Sequence, residues 1–440
     1  MKRLFRRLSP ARILALGFAG LILLGSLLLS LPCCVRPGVQ VSYLDILYTA
    51  VSAVCVTGLI TVDTGAAYSA VGQTVIAVLL QIGGLGVTSV SAGVASLAGK
   101  KLSRRENTLI REALNYPTYN GLGDMIRSVV ILDLSLEAVG ALLSFPAFAK
   151  LYPAKKAALY AVFHSVAAFN NGGFDILGNG DSVGVFAGDP YFNIVTSLII
   201  IAGGLGFFVI RELLMRVKPL AAGRKPSRLS LHSRVVIMLT SFLIVFGTLL
   251  VKLTEGANIT WLGAFFASVT ARTAGFATFP LGGFSNAGIL VMCLLMFVGA
   301  SPGSTGGGVK TTTAFVFVKR LISVATGREA VVAGRKIKDE ALGKAYIIIS
   351  LAFSWIAAVT VILTFLEPDI PLRDILFETV SGFSTTGLST GITPTLSVPS
   401  KLILVITMYV GRLGPLTVAT LWSASGKSGV SRPEGELPIG

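Results

Sequence analysis

Charge is scarce in this chain: 13% of its 440 residues are charged, against 53% that are hydrophobic. A soluble domain of this length needs far more charge to cover its surface, so that class is excluded. Histidine is nearly absent, His164 and His232 being the two present. That leaves little material for a histidine metal site or a Ser-His-Asp triad. The four cysteines, Cys33, Cys34, Cys55 and Cys293, show neither a disulfide framework nor zinc spacing. A membrane enzyme needs clustered intramembrane acids, histidines or a nucleophile with its base, and the sequence offers none.

What is abundant is apolar sequence in long runs, at 13–31, 71–98, 128–149, 191–210, 235–251, 287–300, 345–366 and 402–424. Most approach or exceed the ~20 residues that cross a hydrocarbon core; the run at 287–300 falls short. The first run follows a basic N-terminus but exceeds a signal core of ~7–15 residues, and no A-x-A-like cleavage site follows it. It reads as a retained first span.

The net charge is +16, and 27 of the 37 Lys and Arg fall in five segments: 2–12, 100–127, 211–234, 319–344 and 427–440. If the spans alternate, these segments share one side, which the positive-inside pattern makes cytoplasmic, with both termini. The opposite loops carry Asp45, Asp63, Asp175, Asp181, Asp189, Glu255, Glu367, Asp369 and Asp374. A basic balance distributed in this way points to membrane topology and not to a nucleic-acid partner. Each cytoplasmic segment is under ~30 residues, too short for a folded domain of ~50 or more, so nucleotide sensing requires another chain.

The chain repeats itself four times. Asp45, Ile46 and Leu47 align without a gap on Asp374, Ile375 and Leu376, and the match continues to Thr57, Gly58, Leu59 and Thr386, Gly387, Leu388. Two further segments fit the frame, ending in Gly172, Gly173, Phe174 and in Ala274, Gly275, Phe276. Ten residues before each shared glycine stands an aromatic residue: Tyr48, Phe163, Phe265 and Phe377. Each unit reads as a long apolar run, a short helix, a polar glycine-bearing tetrapeptide and a second run. The units cover 12–99, 126–217, 231–326 and 340–424, giving an all-α membrane protein of eight spans with four pore repeats around one path.

The second runs share Gly83, Gly84, Leu85, Gly86; Gly203, Gly204, Leu205, Gly206; and Gly411, Arg412, Leu413, Gly414. Helix packing explains the glycines. It leaves open why arginine stands at 412.

The tetrapeptides are Val56, Thr57, Gly58, Leu59; Asn171, Gly172, Gly173, Phe174; Thr273, Ala274, Gly275, Phe276; and Thr385, Thr386, Gly387, Leu388. Irregular backbone at membrane depth is tolerated inside protein or along water. A dehydrated cation needs oxygen ligands, which backbone carbonyls supply without net charge. Glycine reaches the dihedrals that aim successive carbonyls at one axis. Four such loops in one chain can surround one ion. Four ordinary glycine C-caps are the alternative, and they leave the shared context unexplained. One shared glycine per loop, against two in the TVGYG filter of tetrameric potassium channels, implies a shorter filter and weaker selectivity.

The third unit departs from the rest at 299–312, where Gly299, Pro302, Gly303, Ser304, Thr305, Gly306, Gly307, Gly308 and Lys310 cannot sustain a helix. The expectation is a loop in the membrane that gates the path. The stretch superficially resembles a P-loop, but Val309 separates Gly308 from Lys310, so that motif fails. Arg412 reads as a positive barrier near mid-span, or as the partner of Asp133 and Glu137 in a structural ion pair. Arg272 reads as a brace for the third loop, and His164 as a packed residue. A secondary transporter built from inverted repeats is the competing class; it requires halves of opposite orientation, whereas these units share one.

Four stretches together carry a resemblance. They are 169–174 with Asn171, Gly172 and Gly173; 271–276 with Thr273, Ala274 and Gly275; 303–313 around Gly306, Gly307, Gly308 and Lys310; and 411–415 around Arg412. Over nearly its whole length the chain resembles the Trk/Ktr/HKT superfamily of potassium transporters, and within it the Ktr-type membrane subunit. Eight spans without an additional N-terminal pair favour that type. The resemblance implies a pseudo-fourfold pore with Gly58, Gly173, Gly275 and Gly387 in its filter, gated by 299–312 with Arg412. It also implies a homodimer on a cytoplasmic ring of nucleotide-binding regulatory subunits, stimulation by sodium, and no covalent cofactor. Gly172 stands where relatives often carry alanine, which implies a looser second loop.

Overall fold

In the computed structural model the described residues are 9–86, 89–90, 93, 108, 122–178, 180–221 and 228–422. The ends of the chain, the close of the first unit and most of the basic segment at 100–127 lie outside them. Most of the described chain is helical. Its helices are α1 (Pro10–Leu29), α2 (Tyr43–Val54), α3 (Ala70–Leu85), α4 (Leu122–Ala149), α5 (Ala154–Phe169), α6 (Pro190–Leu205) and α7 (Phe207–Ala221). They continue as α8 (Leu231–Glu255), α9 (Trp261–Thr270), α10 (Asn286–Phe297), α11 (Thr311–Thr326), α12 (Asp339–Leu366), α13 (Leu372–Ser384) and α14 (Val398–Leu413). A two-residue hairpin, β1 (Val331–Val332) with β2 (Arg335–Lys336), joins α11 to α12.

Local chemistry sets where these helices begin. Ser42 and Thr260 cap α2 and α9 through their hydroxyls, accepting from Asp45 N and Gly263 N at 3.2 and 3.1 Å. Pro153 and Pro371 precede α5 and α13, where a missing N–H costs nothing. Long helices α1, α4, α8 and α12 are long and apolar enough to cross a bilayer. Their outer faces expose Leu142 (74%), Leu253 (77%) and Phe365 (85%), a fault in water and the expected face toward lipid. The chain is therefore a multi-pass membrane protein.

The four short helices α2, α5, α9 and α13 lie inside this frame. Their aromatic column is buried at Tyr48, Phe163 and Phe377 and half-buried at Phe265.

The second runs correct the sequence reading. They are not continuous helices. Each of α3, α6 and α14 stops at a glycine with positive φ: Gly86 (+83°), Gly206 (+90°) and Gly414 (+85°). At Gly206 the chain turns by 105° between α6 and the segment Phe207–Arg216. By length and composition, four helices of the described residues suffice to span, or five if the bent pair counts as one. The eight expected spans were counted from apolar runs, which do not register a break at one glycine.

Candidate functional site

Each short helix ends in a loop of the same backbone shape. Two residues before the shared glycine, Val56, Asn171, Thr273 and Thr385 all take left-handed φ, between +51° and +70°. Side-chain-bearing residues rarely adopt that conformation, and a β-branched residue does so at a real cost. Gly58, Gly173, Gly275 and Gly387 follow with φ of +96°, +65°, +84° and +89°. Four recurrences of one strained sequence of dihedrals are not four ordinary helix caps.

The four glycines close a ring. A methyl group built on Gly58 stands 2.7 Å from the carbonyl oxygen of Gly172, and one on Gly173 stands 2.9 Å from that of Ala274. A methyl on Gly275 meets the Thr386 carbonyl, and one on Gly387 meets that of Thr57, which returns the circuit to its start. Space and dihedral together require glycine at all four positions. In the first and fourth loops a serine hydroxyl fixes the glycine: Gly58 N donates to Ser52 Oγ at 3.0 Å and Gly387 N to Ser381 Oγ at 3.1 Å. In the third loop Thr270 Oγ1 donates instead to the Phe276 carbonyl at 2.7 Å.

A second circuit of polar contacts runs through the loops on one side of the ring. Gly180 N donates to Asp63 Oδ2 at 2.8 Å, Ala277 N to Ser182 Oγ at 3.2 Å, and Arg373 to Asn286 Oδ1 at 3.1 Å. The Lys401–Asp45 ion pair at 3.4 Å joins the fourth unit to the first. Each contact is worth little alone. Arranged head to tail, they fix the order of the units around the ring.

Cavities open on both faces of the ring. One, of about 660 Å³, is lined by the four glycines together with Asp63, Asp175 and Asp181. The other, of about 510 Å³, is lined by Gly303, Ser304, Gly306, Gly307, Gly308, Lys310 and Arg412. One face is thus acidic and the other carries two cations.

The segment 299–310 is an irregular loop between α10 and α11, pinned along its length. Gly299 N donates to Val309 O at 3.0 Å and closes its base. Phe207 N, just past the bend at Gly206, donates to Gly303 O at 2.9 Å. Thr305 Oγ1 donates to Phe169 O at 3.0 Å. Lys310 Nζ folds back on Gly306 O at 2.6 Å. Methyl groups on Gly306 and Gly307 would collide with the hydroxyls of Thr273 and Thr385. The loop therefore sits directly against the left-handed residues of the ring loops.

Arg412 ties this loop to the first unit. Its guanidinium donates to Thr305 O at 2.5 Å, to Gly84 O at 3.0 Å, and to Gly83 O. It stands at the last turn of α14, just before the break at Gly414, and reaches neither Asp133 nor Glu137. Those acids serve elsewhere: Gln81 Nε2 donates to Asp133, and Asn170 Nδ2 to Glu137 Oε1 at 2.7 Å. The ion-pair alternative fails because helical spacing placed the acids on one face without saying which face it was.

Arg272 donates to Gly299 O at 3.3 Å, which joins the third loop to the base of 299–310. His164 packs edge-on to Phe148, 5.5 Å between centroids, and shares a hydrogen bond with Thr196 at 3.0 Å. At Gly172 the tip of Leu80 fills the place a methyl would take. Sequence reasoning missed Ser52, Ser381 and the breaks at Gly86, Gly206 and Gly414. The signal for the breaks was present, a Leu-Gly pair recurring at 85–86, 205–206 and 413–414.

The profile of the TrkH family, described as cation transport proteins, matches residues 27–431. The chain is 34% identical to the Ktr system potassium uptake protein B of Bacillus subtilis, covering 99% of this chain and 97% of that one. It is 35% identical to the potassium/sodium uptake protein NtpJ of Enterococcus hirae, covering 95% and 93%. Among solved structures, the potassium transporter TrkH from Vibrio parahaemolyticus superposes with a TM-score of 0.70 at 17% identity, covering 92% of this chain and 84% of that one. A closed glycine ring between two cavities and these full-length matches lead to one conclusion: the chain belongs to the TrkH family of cation transport proteins.

Proposed function

We propose that the chain takes up potassium through a channel-like pore, with the glycine ring as its selectivity filter. The observation that carries this reading is the closed circuit of Gly58, Gly173, Gly275 and Gly387, each against the carbonyl before the next glycine. Carbonyls of Thr57, Gly172, Ala274 and Thr386 then replace the water around a bare potassium ion. The C-terminal ends of α2, α5, α9 and α13 face this ring and present the negative ends of their dipoles to a cation. Asp63, Asp175 and Asp181 raise the local cation concentration at the outer cavity.

Four pseudo-symmetric units, 12–99, 126–217, 231–326 and 340–424, complete the path. Each crosses the membrane twice once its broken second run is counted as a crossing, giving eight spans with both termini cytoplasmic. The segment 299–312 with Arg412 is the gate. The chain forms a homodimer resting on a cytoplasmic ring of nucleotide-binding subunits, which control the gate, and sodium stimulates uptake. The relatives named for potassium and for potassium/sodium uptake support this reading.

The test is growth rescue of uptake-deficient cells at limiting potassium, with and without a nucleotide-binding partner. Growth no better than with empty vector, under both conditions and with normal expression, would remove the proposal. A finer prediction concerns the gate. Arg412→Gln removes the charge that bridges Thr305 to Gly83 and Gly84, and charge-assisted hydrogen bonds contribute about 1.5–3 kcal/mol each. Loss of one such bond changes a two-state equilibrium about tenfold. Three such bonds are lost, so basal potassium flux in vesicles without a partner should rise by at least that factor. An unchanged flux would show that Arg412 does not hold the loop closed.

A further inference from the structure

The cytoplasm-facing reading of the basic segments leaves one cluster unused. Arg228, Arg234 and Arg335 line a single cavity of about 410 Å³ together with Leu229, Ser230 and Leu231. Arg228 lies just before α8, Arg234 in its first turn, and Arg335 on the β1–β2 hairpin. All three are exposed, and among the described residues none of them forms an ion pair. Among the described residues no carboxylate lines the cavity. The nearest acid through bonded contacts is Glu212, which accepts from Ser230 N at 2.6 Å, from Ser230 Oγ at 2.7 Å and from Ser233 Oγ. It is engaged in capping α8 and faces serines. Three guanidinium groups brought together without a partner repel one another, and a multiply accepting anion between them relieves that repulsion.

The helix itself says what kind of anion. Arg234 starts a stripe on one face of α8 that continues through Met238, Phe242, Val245 and Leu249, at spacings of three and four residues. Met238, Phe242 and Val245 are 55%, 55% and 60% exposed. A headgroup among the arginines would therefore stand directly above an open apolar track that runs into the bilayer. A soluble phosphate or an acidic protein surface makes no use of that track. Basic pockets at the ends of membrane helices bind lipid headgroups by this combination of charge and burial.

We propose that the chain holds an anionic phospholipid at the basic end of α8, its phosphate among Arg228, Arg234 and Arg335 and its acyl chains along Met238, Phe242 and Val245. The site needs only that α8 is embedded in a bilayer. It is independent of the ion path, so failure of the potassium reading leaves it standing.

The test uses the full-length protein in detergent micelles, presented with equal phosphatidylglycerol and phosphatidylcholine and read by native mass spectrometry. Phosphatidylglycerol should be retained on the order of a hundredfold over phosphatidylcholine. Each charge near a membrane surface contributes about fivefold in binding, so each single Arg→Gln change should reduce retention by about that factor. The triple variant should show no headgroup preference, while Arg234→Lys retains most of it. Soluble glycerol phosphate at equal phosphate concentration should displace nothing. Three results would overturn the proposal: undiminished preference in the single variants, displacement by glycerol phosphate as effective as by lipid, or loss of binding to a nucleotide-binding partner protein with lipid retention unchanged. The single variants keep the test decisive if the triple variant does not fold.

Discussion

Gly275→Ser should collapse discrimination between potassium and sodium while leaving the protein inserted and folded. Gly275 sits at φ +84°, so any side chain adds left-handed strain of about 1–2 kcal/mol. Space makes the position harder still. The new Cβ would meet the Thr386 carbonyl, and would lie 2.9 Å from Gly173 Cα and 3.3 Å from Gly387 Cα. All three neighbours are backbone, and no rotamer change relieves them. The third loop cannot retreat as a unit, because Ala274 N is bonded to Thr270 O at 2.9 Å and Thr270 Oγ1 to Phe276 O at 2.7 Å. The ring must widen at Thr386. A carbonyl ring wider than potassium loses its advantage over water for that ion, and a shift of 1.4 kcal/mol in relative affinity is about tenfold. Reversal potentials in mixed potassium and sodium should move by at least that change in permeability ratio. Gly283→Ser is the control: nothing lies within 4 Å of its Cβ, and it should leave selectivity unchanged. If Gly275→Ser matched that control, Gly275 would not face the ion.

Much of this arrangement is legible in the sequence, for reasons that differ by residue. Glycines at 58, 173, 275 and 387 are visible because backbone geometry left no other residue available, and the aromatic column ten residues upstream fixes their frame. The irregular segment at 299–310 is visible because five glycines and a proline cannot hide in a helix. Arg412 was legible as a charge where charge is expensive, but its acceptors were not. Backbone carbonyls of Gly83, Gly84 and Thr305 carry no sequence signature, whereas Asp133 and Glu137 do. The breaks at Gly86, Gly206 and Gly414 failed for the opposite reason. Glycine in an apolar run serves close packing and helix termination equally well, and hydropathy does not distinguish them. The exposed face of α8 was legible as apolar, yet the meeting of Arg234 with Arg335 depends on a hairpin that local pattern does not place.

Deleting 303–308 should raise potassium flux in the absence of any regulatory partner, by on the order of tenfold or more if the loop shifts the closed state by at least 1.4 kcal/mol. The deletion leaves the base of the loop intact, where Gly299 N meets Val309 O at 3.0 Å. It removes Thr305, which carries bonds to Phe169 O and to Arg412, and it removes Gly306 and Gly307, which press on Thr273 and Thr385. Those two roles predict opposite outcomes. If the loop obstructs the path, its loss opens the inner cavity and flux rises with ion preference preserved. If the loop chiefly buttresses the ring, the left-handed residues lose their support, and both flux and preference fall with normal expression. Obstruction is the expected result, because the ring loops are already fixed from their own helices: Thr57 N donates to Ser52 O at 2.8 Å, Gly172 N to Ala167 O at 2.7 Å, and Thr386 N to Ser381 O at 2.9 Å. A ring held by its own pore helices does not need a floor, and a floor that it does not need is free to move.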